Sequence, residues 1–181
     1  MPSVIGHTLI GSTCYTLLRT NRNNYSFLRL LLLSALASNL PDADVLFHFL
    51  NLSHIAFLSH RGGFFHSVYF ALFGGIIISY MGYRKEPART KYLLGIYFCI
   101  LIILHSIFDA MTEGIGVAFF YPIYEKKLSL PFTPLLPAGF SAKAFIQNPA
   151  ISRELFIVWI PSMIINILLW FKLQKRQGQY L

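Results

Sequence analysis

The chain has 181 residues, so one domain is expected; 55% of the residues are hydrophobic and only 12% are charged. Soluble domains carry about 25% charged residues, so this composition, with its long apolar runs, indicates a protein of the lipid bilayer. The net charge of +8 does not predict a nucleic-acid partner, because the basic residues lie in short clusters between apolar runs, as in loops that flank membrane helices.

Five apolar segments follow one another along the chain. Val4–Leu18 and Leu28–Leu40 are short, so each is a short span, a tilted re-entrant helix or a helix packed inside the bundle. The other three, Phe64–Tyr83, Tyr92–Met111 and Leu155–Leu173, have 19 or 20 residues. About 20 helical residues cover the hydrocarbon core, so these three are predicted membrane spans.

Prolines mark the expected interruptions. Pro41 disfavours helix at the residue before it, so the second segment is predicted to end at Leu40. Pro161 lies inside the last segment and predicts a kink there. Residues 112–154 hold several prolines with glycines and scattered charges, which is typical of loops. We therefore predict one membrane-embedded domain, 1–181, with a loop region at 112–154.

Clusters of basic residues give the expected orientation. If all five segments cross the membrane, three clusters fall on one side, together with only one acid, Glu86. The positive-inside rule makes that side cytoplasmic. The N-terminus, the turn after Leu40 and the 112–154 loop are then extracytoplasmic. The clusters are Arg19, Arg22 and Arg29; Arg84, Lys85, Arg89 and Lys91; and Lys172, Lys175 and Arg176.

This topology gathers potential metal ligands at the extracytoplasmic face. His105 and Asp109 are spaced i, i+4, so both lie on one helical face and can reach one ion. The alternative is a hydrogen-bonded pair that only tightens the bundle, and Asp42 and Asp44 alone would suit a turn with a helix cap. The full candidate set is His7, Asp42, Asp44, His60, His66, His105 and Asp109.

The string from His60 to Ser67 is the most distinctive. Gly62 and Gly63 allow a tight turn that could return both histidines of the string to one point. Arg61 offers a planar fork suited to phosphate oxygens. The alternative is a loop at the membrane interface with a snorkelling arginine.

The ligand types indicate the metal and the chemistry. Imidazole and carboxylate together suit zinc or a similar divalent metal, and the candidate set is large enough for two or more ions. Such a metal activates a water molecule and polarises a phosphoryl or acyl oxygen. Glu113, four residues beyond Asp109, is a candidate general base or additional ligand. His48 and His54 are predicted to be structural or interfacial.

Four motifs in order carry a family resemblance: Gly6-His7-Thr8-Leu9, Leu40-Pro41-Asp42-Ala43-Asp44, His60-Arg61-Gly62 with His66-Ser67, and His105 to Thr112. Over about residues 3–135 the chain resembles the bacterial YdjM/YbcI type of membrane-bound metal-dependent hydrolases, sometimes labelled LexA-regulated. That family is regarded as distantly similar to zinc-dependent phospholipase C and the P1-type nucleases, which hold several zinc ions with His and Asp.

The resemblance implies phosphate-ester hydrolysis. It also implies a ligand set: His7, Asp42 or Asp44, His60, His66, His105 and Asp109. The family pattern is close to His-Arg-Gly-x-Thr-His-Ser. This chain departs from it with one extra residue between the histidines, with Phe65 at the usual threonine and with Glu113 where a proline often stands.

Together these observations predict an all-α, polytopic membrane bundle of four or five helices with an extracytoplasmic loop region, in a bacterial inner membrane. The expected function is metal-dependent hydrolysis of a phosphoester in a lipid or lipid-linked substrate, with Arg61 orienting the phosphate. The rival is a metal-ion transporter or a non-catalytic metal-binding membrane protein. Transport would place ionisable residues near the bilayer midplane, whereas these cluster at helix ends.

Overall fold

A computed structural model describes residues 3–19, 27–114, 116–137 and 150–177. These residues form helices and no strand, which confirms the predicted all-α bundle. In chain order the elements are α1 (Val4–Arg19), α2 (Phe27–Asn39), a 3-10 helix (Leu40–Asp44), α3 (Val45–Phe49), 3-10 turns at Ala56–Leu58 and Phe64–His66, α4 (Val68–Gly82), α5 (Ala88–Ala110), α6 (Ala150–Glu154), a π-helical turn (Leu155–Trp159) and α7 (Ile160–Gln177).

Three helical stretches among the described residues are long and apolar enough to cross a membrane. They are Leu28–Phe49, Ala88–Ala110 and Ala150–Lys172, and α4 is a shorter apolar helix. Large apolar side chains such as Leu32, Ile96 and Leu168 are exposed on their outer faces. Lipid tails solvate such faces, so the bundle is built for the bilayer.

The second span is longer than its sequence suggested. Regular α-helix ends at Asn39, as Pro41 predicted, but the chain continues as a 3-10 helix and then as α3 to Phe49. Pro41 occupies the first turn of the 3-10 helix, where a missing N–H costs nothing. The proline therefore changes the helix type without ending the span, and the segment expected to stop at Leu40 reaches 22 residues.

The last span begins earlier than predicted and contains a π-helical turn. It starts at Ala150, so the predicted loop region ends before Glu154; residues 138–149 lie outside the described part. The π-helical turn, Leu155–Trp159, ends two residues before Pro161. Proline cannot donate to the carbonyl four residues back and its ring clashes with that carbonyl, so a widened turn is a common way to accommodate it.

Helices α4 and α5 form a tight antiparallel hairpin. A Cβ atom on Gly75 would lie 2.6 Å from the Cys99 amide nitrogen and 2.7 Å from the Gly95 carbonyl oxygen. Glycine at this point lets the two backbones touch, as is common between membrane helices. This packing sets the start of α4 beside the end of α5.

Polar side chains join α1 to the last span. The Asn166 amide nitrogen donates to Thr13 Oγ1 at 2.9 Å, and Thr16 Oγ1 donates to Asn166 Oδ1 at 2.7 Å. Near the start of α1, the buried Glu154 carboxylate accepts from the Ser3 amide at 2.9 Å and from Trp159 Nε1 at 2.9 Å. These bonds hold the start of α1 at the same end of the bundle as the start of α6.

Candidate metal site

Five of the candidate ligands come from three elements that meet at one end of the bundle. Asp42 and Asp44 lie in the 3-10 helix after α2, and His66 ends the 3-10 turn before α4. His105 and Asp109 occupy the last two turns of α5. At the opposite end, the Arg29 guanidinium lies 5.9 Å from the Tyr83 ring centre. These candidate ligands and Arg29 therefore lie at opposite ends of the bundle, and the orientation in the membrane stays a prediction.

Four of the predicted ligands surround a common centre. Asp42, His66, His105 and Asp109 each offer an atom, and all four atoms lie within 4.8 Å of one another. The His66 Nε2–Asp109 Oδ2 and His105 Nε2–Asp42 Oδ1 distances are 3.2 and 3.5 Å. Tetrahedral zinc with bonds of about 2.0–2.1 Å separates its ligand atoms by roughly 3.3–3.4 Å. These four residues, which we call the four-ligand centre, could therefore hold a divalent metal.

Asp44, His60 and His66 form a second cluster beside it. His60 Nδ1 lies 2.7 Å from Asp44 Oδ1, and His66 Nδ1 lies 3.1 Å from Asp44 Oδ2. The two clusters thus share His66 through its opposite ring nitrogens. A neutral imidazole carries a proton on one nitrogen, so only the other can bind a metal. If Nε2 serves the four-ligand centre, Asp44 takes the place of the carboxylate that commonly orients a metal-binding histidine.

The orientation of His105 is fixed by a backbone carbonyl. Its Nδ1 lies 2.7 Å from the Ser38 carbonyl oxygen, which can only accept, so Nδ1 carries the proton. Its Nε2 then faces Asp42 and Asp109 with a lone pair. A metal-bound histidine usually donates its other N–H in this way. Nothing in the sequence singled out Ser38, because the donor and the carbonyl are far apart along the chain.

Arg61 is buried beside the four-ligand centre and pairs with one of its carboxylates. Its Nη2 donates to Asp109 Oδ1 at 2.8 Å, while its Nε and Nη1 have no hydrogen-bond partner among the described residues. Its backbone has a positive φ of 58°, and its carbonyl accepts from the Ala118 amide. A Cβ atom on Gly63 would collide with the Phe57 carbonyl oxygen, so the loop needs glycine there.

His7 lies next to the four-ligand centre but outside both clusters. Its ring stacks on His105 with a centroid distance of 3.7 Å, and its Nε2 is 3.8 Å from Asp109 Oδ1. Its role as a ligand stays a prediction. Glu154, which the sequence analysis did not select, holds the start of α1 and so positions His7. The sequence did offer a signal for Glu154: an acid stands directly before an apolar span, where a charge is costly unless it has partners.

The remaining polar candidates belong to neither ligand cluster. Glu113 is exposed and belongs to neither ligand cluster, so its role as a general base stays a prediction. His48 and His54 are exposed, and a ring nitrogen of His54 lies 2.9 Å from the Asn51 carbonyl oxygen. These two histidines belong to neither metal cluster, and their structural or interfacial role stays a prediction.

The polar atoms of the site are buried without enough protein partners. Within the described part of the chain, both nitrogens of His7, both oxygens of Asp42 and His105 Nε2 have no hydrogen-bond partner. Each such atom costs about 1–3 kcal/mol, so a site of this kind is best explained by a bound ligand. The residues present thus fit a divalent cation.

The protonation of His66 shows how strongly the carboxylates act on it. Burial by itself lowers the pKa of His66, but Asp109 and Asp44 outweigh that effect and raise its pKa to about 9 in the metal-free protein. The cluster therefore attracts a positive charge at neutral pH, which a proton supplies when a metal does not.

Comparison with known proteins decides the family. A model of the YdjM inner membrane protein family matches residues 1–177. The chain belongs to this family. It is also 28% identical over 148 residues to the inner membrane protein YbcI of Escherichia coli (strain K12), which covers 80% of this chain and 84% of that relative. No solved structure matches.

Membership in the YdjM family confirms the predicted resemblance and the inner membrane as the location. The names of the family and of YbcI say only that these are inner membrane proteins. Metal-dependent hydrolysis and the likeness to phospholipase C therefore remain proposals, as does the side of the membrane that the site faces.

Proposed function

We propose that this YdjM-family protein is a membrane-bound, metal-dependent hydrolase that cleaves a phosphoester of a lipid or lipid-linked substrate on the extracytoplasmic side. The observation that carries the proposal is the four-ligand centre, whose atoms lie within 4.8 Å of one another at one end of the bundle. Hydrolytic zinc sites use three protein ligands, commonly histidines with a carboxylate, and keep the fourth position for water, so three of these four residues would hold the ion and leave a place for water.

In this proposal three of Asp42, His66, His105 and Asp109 hold a divalent ion, most simply zinc, and Asp44 with His60 orients His66. If a second ion binds, Asp44 and His60 are its candidate ligands, and His7 beside the four-ligand centre is a further candidate. The ion supplies Lewis acidity, which lowers the pKa of water and polarises a phosphoryl oxygen. The Ser38 carbonyl keeps His105 in the tautomer that presents Nε2.

Arg61 and Glu113 complete the proposed machinery. One edge of the Arg61 guanidinium neutralises Asp109, while Nε and Nη1 have N–H groups left to donate to a non-bridging phosphate oxygen. Glu113 is the candidate general base of this proposal; it is exposed and belongs to neither ligand cluster. We expect Arg61→Lys to weaken catalysis more than metal binding, because lysine lacks the planar fork.

A second candidate is a metal-ion transporter or a metal-binding protein without catalysis. The observation in its favour is the burial of the centre: the side chains of His105 and Asp109 are inaccessible and that of Asp42 is 9% exposed. Against it stands the position of the ligands at helix ends, since transported ions usually bind near the midplane.

The test is hydrolysis of phospholipids and lipid-linked phosphates by purified protein in detergent, after chelation and after addition of zinc. We expect turnover that chelation removes and zinc restores, that His105→Ala abolishes and that His54→Ala leaves intact. His54 is the matched control because it is an exposed histidine outside both clusters. Turnover that survives both chelation and His105→Ala would refute the mechanism. Metal flux into liposomes without any hydrolysis would favour the transporter.

A further inference from the structure

A long groove separates α2 from α4 on the outer surface of the bundle. Its volume is about 700 Å³. Every side chain that lines it is apolar, with Leu33 and Leu36 on one wall and Phe70, Phe73, Ile77 and Met81 on the other. Such a surface binds hydrocarbon and offers nothing to a polar ligand.

The groove faces the lipid phase. Leu36, Phe73 and Ile77 are 51%, 64% and 52% exposed, and they lie on helices of the membrane bundle. Side chains exposed at this depth contact lipid tails instead of water. Hydrocarbon chains are therefore the molecules available to fill the groove.

One end of the groove adjoins the four-ligand centre. Leu40, Phe64 and Phe65 line that end. Leu40 precedes Asp42 by two residues, and Phe65 directly precedes His66. From Phe70 to Met81 the groove follows α4 for about 17 Å at 1.5 Å per residue. One leaflet of the hydrocarbon core is about 15 Å thick, so the groove matches the chain of a lipid in one leaflet.

A second groove, between α4 and α5, differs from the first in that it does not lead to the four-ligand centre. It has a volume of about 500 Å³ and is lined by Leu72, Ile76, Tyr80 and Lys91 among others. Lys91 and Tyr80 pack together, with the ammonium 5.1 Å from the ring centre, at the end of the bundle away from the metal ligands. A lipid there would have its headgroup far from the four-ligand centre.

We propose that the α2/α4 groove binds one hydrocarbon chain of a membrane lipid and thereby brings the phosphate headgroup of that lipid to the four-ligand centre. The binding of the chain follows from the groove alone, whereas the role of the headgroup rests on the proposed hydrolase function. A lipid held in this way enters sideways from the bilayer, so the buried centre does not need a wide opening to water.

The first test uses photo-crosslinking of the full chain in vesicles of phosphatidylethanolamine and phosphatidylglycerol. The probe is a phosphatidylglycerol with a diazirine in one acyl chain, and labelled residues are mapped by peptide mass spectrometry. We expect labelling to concentrate on the Leu36, Phe73 and Ile77 side of the bundle. Ile77→Trp should fill the groove and lower this labelling roughly tenfold, the factor for losing burial of about two methylenes.

Ile76→Trp is the matched control. Ile76 is 54% exposed beside Ile77 at 52%, but it lines the other groove. The Ile76→Trp variant should leave the labelling of the α2/α4 groove unchanged. Equal thermal stability of the two variants would exclude misfolding as the cause of the lower labelling in Ile77→Trp. Labelling spread evenly over both faces of α4, or unaffected by Ile77→Trp, would show annular lipid only and overturn the proposal.

The second test separates this proposal from the proposed function. Hydrolysis is compared between a long-chain phospholipid and a chain-free soluble phosphodiester, p-nitrophenyl phosphorylcholine. Ile77→Trp should lower kcat/KM for the long-chain lipid roughly tenfold and leave the soluble substrate unchanged. An equal loss on both substrates contradicts the groove. Groove labelling without hydrolysis of either substrate would keep the lipid site and overturn the role of the headgroup.

Discussion

Asp42 and Asp109 belong to the same four-ligand centre but differ in their other partners. Asp109 Oδ1 accepts a hydrogen bond from Arg61 at 2.8 Å, and both side chains are buried. Neither oxygen of Asp42 has a hydrogen-bond partner among the described residues. Replacing each aspartate by asparagine therefore separates metal binding from the stability of the metal-free protein.

The expected changes in the free energy of unfolding follow from these contacts. Asp109→Asn leaves the buried Arg61 guanidinium without its counter-charge, and breaking a buried pair from one side costs about 3–5 kcal/mol. Asp42→Asn leaves no permanently charged group unpaired; it removes both the attraction of His105 and the repulsion of Asp109, which oppose each other. We expect it to change the stability of the metal-free protein by no more than about 1 kcal/mol, or to raise it. Each substitution removes one of the metal ligands, so both should weaken zinc binding.

The assay is unfolding in detergent micelles with chelator and with zinc. At a zinc concentration 100 times the Kd, the wild-type protein should gain about 2.7 kcal/mol from ligand linkage. Both variants should lose most of that gain, but only Asp109→Asn should be destabilised in chelator. The reasoning is refuted if Asp109→Asn is as stable as wild type in chelator, or if Asp42→Asn keeps the full gain from zinc.

The remaining predictions concern packing and pH. Gly75→Ala should destabilise the protein by about 1–3 kcal/mol in thermal unfolding, because its Cβ meets backbone atoms, whereas Gly95→Ala should be tolerated, since its nearest new contact is 3.8 Å; equal effects would contradict the packing. Asn166→Leu should cost about 0.6–2 kcal/mol by losing its bonds to α1, and Ile167→Leu on the lipid face should be neutral in the same assay. His66 has a pKa raised to about 9 in the metal-free protein, so its proton must leave before zinc binds. Zinc affinity in titration calorimetry should fall about tenfold per unit below pH 9, and a pH-independent affinity from pH 6.5 to 9 would oppose this assignment.

The residues of the centre could be found from sequence because their signals are local. His105 and Asp109 share a helical face by their spacing, and a glycine pair beside His66 predicts a turn. The charge clusters then gather these residues at one end without any knowledge of the packing. The structure brings one ligand atom of each residue within 4.8 Å of the others, with Asp42 from the 3-10 helix as the fourth member.

Contacts between distant parts of the chain could not be read in this way. The Ser38 carbonyl bonds His105 only because α2 packs beside α5. The pairing of Arg61 with Asp109 joins residues that are 48 apart in the chain. Any backbone carbonyl or carboxylate is a possible partner until the packing of the helices is known, so sequence spacing does not select one.

The predicted boundaries of the second and last spans were wrong for a different reason. Pro41 and Pro161 are local signals for a break, but a proline can also begin a 3-10 helix or follow a π-helical turn. Inside a bilayer every backbone N–H and C=O needs a partner within the helix, so an irregular turn costs less than a break and both spans continue. The lengths of the two spans depend on their surroundings in the folded protein, which a proline in the sequence does not reveal.

Metal content is the most direct test of the account. The protein is purified in detergent, incubated with zinc, desalted and analysed for zinc per chain. The account predicts about one tightly bound ion for the wild type, the number that one tetrahedral set of ligands holds. His105→Ala should lose this ion and His54→Ala should retain it. Wild-type protein without bound zinc, or His105→Ala with as much zinc as the wild type, would contradict the metal site.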